Sequence, residues 1–184
     1  MTQVDKQNAI VTSGFPRSGN TFVNFAFAKL FNLEYVNLNR HAVVTIKNRN
    51  HTFVPFRNPI DCISSWHLYQ DEFLKDIPLL ENDLKFYLRF HNNLKNLLDK
   101  VTLLDFDLFK DDLSYLTTKV TNLYPIKPFD VTLEEVKSFM NKSGKSINLP
   151  RNTQEQKQEI QEWIKGTDLY QECASVYQSL KQGE

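Results

Sequence analysis

A chain of 184 residues with 22 Lys and Arg against 22 Asp and Glu is formally neutral, so no global field draws it to nucleic acid or to an anionic membrane, and any anion site must be local. The length suits one domain that buries most of its apolar surface without staples, and Cys62 and Cys173 offer neither a disulfide framework nor metal spacing, reading instead as buried thiols in a reducing compartment. The opening MTQVDKQNAIVT lacks the features of a signal peptide, and no stretch approaches the ~20 apolar residues that span a bilayer; the expectation is a soluble, cytoplasmic protein.

Taken in order, AIVTS (9–13) is a short apolar, β-branched run ending at a glycine, the pattern of a buried strand. TFVNFAFAKLF (21–31) follows as an apolar helix. EYVNLN (34–39) is a candidate second strand, and HTFVPF (51–56) a better one, stopped by Arg57-Asn58-Pro59. Asn58 then makes an N-cap with Pro59 at the first helical position and Asp61 in the first turn, where capping is its main expected role; this helix runs to about residue 70. A long helix over about 79–99 precedes VTLLDF (101–106), another run of strand length. Helical patterns then occupy about 113–123, 133–141, 153–164 and 169–180. Strands alternating with helices predict an α/β fold with a small parallel sheet covered on both faces, a three-layer α/β/α arrangement. The chain reads as a single domain over 1–184, with a core at 8–125 and a helical C-terminal third from 126.

GFPRSGNT (14–21) has the outline G-x-x-x-x-G-x-T of a phosphate-binding loop, with Asn20 where a nucleotide triphosphatase carries lysine. A strand, a glycine-rich turn and a helix are the context such a loop requires. Backbone N–H groups of residues 17–21 at a helix N-terminus favour an anion, Gly14 and Gly19 permit the turn, and Thr21 adds a hydroxyl donor. An ordinary strand-to-helix turn with two glycines is the plain alternative.

GFPRSGNTF resembles the 5'-phosphosulfate loop of sulfotransferases that use 3'-phosphoadenosine-5'-phosphosulfate (PAPS), whose usual form is close to [YF]-P-[KR]-[SA]-G-T-[TS]-[WFL]. The resemblance implies a P-loop, nucleotide-kinase-like fold and a cofactor-binding set of Pro16, Arg17, Ser18, Gly19, Asn20, Thr21 and Phe22. Arg17 matches the residue that contacts the phosphosulfate, Phe22 the aromatic often beside the adenine, and Asn20 departs from the usual threonine. The family's second signature, a strand ending in R-[ND]-P-x-D-x-x-x-S, is filled by Arg57, Asn58, Pro59, Asp61 and Ser65; Arg57 and Ser65 match the residues that hold the 3'-phosphate. VTLLDFDLFKDD (101–112) is a weaker third match, in which Phe106 and Asp107 fit and Leu108 replaces an acid. The resemblance spans roughly residues 8–125.

It implies sulfuryl transfer from PAPS to a hydroxyl or amine acceptor by in-line displacement, a reaction that depends on positioning and electrostatic stabilisation and requires no metal. Arg17 is the expected catalytic cation. A general base comes, in the family, from the segment before the Arg-Asn-Pro strand; His41 is the first candidate there, Glu34 and His51 the runners-up, and a surface or capping histidine is the plain alternative. His67 is expected to pack beside Trp66 and His91 to be solvated. Phe73, Phe86, Tyr87 and Phe90 are spaced as core. The acceptor is expected to be a small molecule, a glycan or a peptide; the chain is short for the family, which implies an open pocket that suits a large acceptor end such as a glycan or peptide, or one completed by a second subunit. A small nucleotide or metabolite kinase remains the enzymatic alternative, and a non-catalytic adenosine-bisphosphate-binding module the other. Nucleic-acid binding lacks a basic stripe, KNRNH (47–51) being too short to supply one.

Overall fold

Two apolar five-residue runs, TFVPF and VTLLD, form the sheet. In the computed structural model, which describes residues 10–33, 43, 46, 51–70, 77–143 and 154–183, β1 (Thr52–Phe56) pairs in parallel with β2 (Val101–Asp105) in the register Thr52↔Val101 to Phe56↔Asp105. The run 9–13 is seen from residue 10 as a single parallel bridge, Thr12 to Phe53, on the other side of β1. There Phe53 N donates to Val11 O at 2.8 Å and Ser13 N to Phe53 O at 3.1 Å. The ladder stops for a covalent reason. Pro55, two residues on and facing the same side, has no N–H to continue it, so the chain peels away at Gly14. The candidate strand 34–39 lies outside the described residues, as do Glu34 and His41.

Helices α1 (Asn20–Phe31), α2 (Pro59–Gln70), α3 (Ile77–Lys95), α4 (Phe106–Phe109), α5 (Leu113–Thr121), α6 (Leu133–Lys142), α7 (Gln154–Lys165) and α8 (Asp168–Gln182), with a 3-10 turn at Leu98–Lys100, complete the described fold. Their starts follow local chemistry: Asn58 Oδ1 accepts from Ile60 N at 3.1 Å, and Thr132 and Glu135 form a reciprocal capping box. The run expected to end at Phe106 ends one residue sooner, because the Asp105 carboxylate accepts from Asp107 N at 3.0 Å and starts α4 instead.

Strand side chains alternate between two apolar clusters. Val54, Phe56, Val101 and Leu103 join Leu84, Tyr87, Ile164, Cys173 and Tyr177 from α3, α7 and α8, while Phe53 and Leu104 join Phe25, Phe109, Leu116 and Met140 from α1, α4, α5 and α6. The molecule is thus a mixed α/β protein whose small parallel sheet has helices packed against either face. Among the described residues no helix is long and apolar enough to cross a membrane.

One side chain contradicts expectation and two make contacts beyond it. His91 is fully buried, stacked on Tyr87 with ring centroids 3.9 Å apart, rather than solvated. It shares the inner stripe of α3 with Tyr87 and Leu84, one and two turns back. His67 is buried with its Nδ1 3.0 Å from Asp83 Oδ2, tying α2 to α3. Asp61 occupies the first turn of α2, but its Oδ1 receives Lys157 Nζ and Gln161 Nε2, both at 3.1 Å, so it also fastens α2 to α7.

Candidate anion-binding site

Between the Thr12 bridge and α1 the chain makes a tight loop whose shape has three causes. Phe15 is fully buried, its ring centroid 4.9 Å from Phe86, 5.1 Å from Tyr87, 5.9 Å from Phe90 and 5.8 Å from His91. Ser18 N donates to Phe15 O at 3.3 Å and closes the turn, with Arg17 at φ 63° and Gly19 at φ 96°. Beneath the turn, Cys62 of α2 donates its thiol to Pro16 O at 3.0 Å and lies 3.4 Å from Ser18 Oγ. Burial pushes that thiol up to about 12, against the lowering effects of Ser18, Arg57 and Arg17, so at neutral pH it is a structural donor and no nucleophile.

The two glycines serve different needs. A Cβ on Gly14 would stand 2.5 Å from Pro55 O, so its requirement is close approach to β1. Gly19 has the left-handed φ as well, and its Cβ would meet Phe106 and Phe109 at 2.8 Å. Asn20, where a triphosphatase lysine would stand, spends its amide on the loop itself, donating to Phe15 O at 2.7 Å and Gly14 O at 3.2 Å. Its Oδ1 is buried without a hydrogen-bond partner among the described residues. Thr21 is exposed. Phe22 is buried and stacks on Phe109 at 5.8 Å, so its ring belongs to the core under the loop.

α1 begins at Asn20 without a side-chain cap. The first N–H groups of any α-helix lack intrahelical acceptors, and here the helix dipole adds partial positive charge at the same place. Two arginines join it. Arg17 donates from Nε to Ser65 Oγ at 3.1 Å. Arg57, the first residue beyond β1, donates from Nη1 to Arg17 O at 3.4 Å, and its guanidinium carbon lies 4.3 Å from the centre of the Phe106 ring. The Arg57 carbonyl is held by Tyr87 Oη at 3.0 Å. Arg17, Arg57 and Ser65, distant in sequence, are therefore neighbours at the carboxyl end of the parallel strands, where open α/β sheets take their ligands. In a chain of zero formal charge this is a local cationic patch.

Of the base candidates, only His51 falls within the described residues. It stands at the entry to β1, with Nε2 2.9 Å from Thr102 Oγ1 and its pKa lowered by burial. Six residues of extended chain place it roughly 20 Å from Arg57, at the opposite end of the sheet. Among the described residues no group of three or more His, Cys, Asp and Glu could hold a metal ion. Cys62 and Tyr87 were not foreseen as parts of the site. For Cys62 a signal existed: it precedes Ser65 by three residues on a helix, so both share one face. No family model, curated protein or solved structure matches the chain.

Proposed function

We propose that the chain is a PAPS-dependent sulfotransferase, a short member of that family on a P-loop, nucleotide-kinase-like three-layer fold. The observation that carries the reading is the meeting of Arg17, Arg57 and Ser65, residues of two separate sequence motifs, around one helix N-terminus. A kinase would need a lysine at position 20, and Asn20 is engaged in holding the loop.

In this reading the loop amides, Thr21 and Arg17 hold the 5'-phosphosulfate, and Arg57 with Ser65 holds the 3'-phosphate. An acceptor oxygen attacks sulfur while the bond from sulfur to the phosphate oxygen breaks. The electron pair leaves on the 5'-phosphate of adenosine 3',5'-bisphosphate, where Arg17 and the helix N-terminus stabilise it. The acceptor proton passes to a base, the role assigned to His41. The acceptor is a small-molecule, glycan or peptide hydroxyl, and the setting cytoplasmic.

Calorimetric titration with adenosine 3',5'-bisphosphate, AMP and ATP with magnesium tests the reading. The bisphosphate is expected to bind more tightly than AMP. Arg57→Ala should cut that advantage by roughly 10- to 100-fold, the worth of a charge-assisted hydrogen bond. Tighter binding of ATP with magnesium, or no binding of the bisphosphate, overturns it.

A further inference from the structure

Among the described residues Arg57 forms no ion pair with a carboxylate. Phe106, whose ring carries its guanidinium, is flanked by Asp105 and Asp107, and among the described residues neither forms an ion pair with Arg57. Each aspartate has a lysine instead. Lys110 Nζ reaches Asp107 Oδ1 at 3.0 Å, an exposed pair. Lys181 Nζ, from the last turn of α8, reaches Asp105 Oδ2 at 2.8 Å.

The second pair is unlike the first, because the Asp105 carboxylate is fully buried while Lys181 is 44% exposed. A buried carboxylate without a counter-charge is costly, and it recruits whichever cation is within reach. Asp105 faces Phe56, the last residue of β1, in the strand register, and Arg57 follows Phe56 directly. The other oxygen of Asp105 accepts from Asp107 N, which leaves Oδ2 as the atom a second cation would take.

We propose that Lys181 is a positioning residue for Arg57: by neutralising the buried Asp105 carboxylate, it leaves the Arg57 guanidinium on the Phe106 ring and free to meet an anion. That the anion is a nucleotide 3'-phosphate rests on the function proposed above; the electrostatic arrangement does not. Without Lys181, Arg57 turns onto Asp105, and the cationic patch loses its second charge.

Two measurements on the full chain decide this, with Lys181→Met, Lys181→Arg and the double variant Asp105→Asn/Lys181→Met. In ligand-free protein, the Arg57 Nε–H resonance, assigned by its loss in Arg57→Lys, should shift in Lys181→Met as the guanidinium gains a carboxylate. It should hold in Lys181→Arg and return in the double variant. In titration, Lys181→Met should lower the preference for adenosine 3',5'-bisphosphate over AMP by about tenfold, within the range of coupled charged neighbours, and the double variant should restore it. A purely structural role for the Lys181 pair would weaken both nucleotides alike and leave their ratio unchanged. If the resonance stays in place in Lys181→Met, or moves equally in the double variant, the proposal is wrong. If wild type binds neither nucleotide, the assigned function fails, while the resonance still decides the role of Lys181.

Discussion

Replacing Gly19 by alanine tests the packing that shapes the loop. The residue sits at φ 96°, a conformation that costs an L-residue about 1–2 kcal/mol. The new methyl would stand 2.8 Å from Phe106 Cδ2 and Phe109 Cζ and 3.1 Å from Phe109 Cε2. Phe109 is fully buried and stacked on Phe22, so it cannot swing into solvent. Overpacking of this kind adds about 1–3 kcal/mol, for a combined loss of about 2–5 kcal/mol. In a domain of this size each kcal/mol lowers Tm by about 2–4 °C, so a drop of about 4–20 °C is expected. Gly166→Ala is the control: its methyl would find nothing nearer than Trp163 O at 3.5 Å, and alanine there should be neutral or slightly stabilising. Urea unfolding monitored by circular dichroism gives both values. A Gly19→Ala protein within about 0.5 kcal/mol of wild type, the ordinary range for surface changes, would refute the contact of α4 with the loop.

Two further outcomes follow from buried groups. Burial lowers the His91 pKa to about 4, against an ordinary value of 6.5 in the unfolded chain. Between those values the unfolded chain binds a proton that the folded protein refuses, so stability rises with pH from about 4 to 6.5 and falls on acidification. The contribution is up to about 3 kcal/mol. His91→Phe should flatten that slope in urea titrations across the window, and an unchanged slope would mean the ring is not buried as described. Burial also pushes both thiols, Cys62 and Cys173, up to about 12. An aromatic disulfide reagent should therefore find no rapidly reacting thiol in native protein and two after denaturation; one fast native thiol would contradict the burial.

The elements that could be read from sequence are those whose causes are local. β1 and β2 are apolar five-residue runs with their own stops, and α2 announces itself through Asn58, Pro59 and Asp61. The run 9–13 looked like a full strand because its composition is right; what shortened it is a proline in a different strand, invisible until the two are paired. Asp61 carries the same lesson. Its place in the first turn was legible, whereas Lys157 and Gln161 come from about a hundred residues away. His91 departs from its local sequence context for another reason. Its neighbours Asn92 and Asn93 are polar, yet its own position repeats the stripe of Leu84 and Tyr87, and that periodicity outweighs local polarity. Order and spacing pick out Arg17, Arg57 and Ser65, and the fold makes them neighbours. The resemblance puts Asn20 in the cofactor-binding set; that its amide donates to the loop carbonyls is apparent only in the folded turn.

Phe15 carries a consequence for kinetics. With its ring locked among Phe86, Tyr87, Phe90 and His91, the loop of residues 14–21 is anchored by the hydrophobic core and has little freedom to open and close. On the function proposed above, an anion would meet amides already in place and spend little free energy on ordering them. No closing step then limits association, and the encounter rate should be set by diffusion and by the field of the two arginines. Variants that alter the loop's hydrogen bonds should differ chiefly in how long the ligand stays.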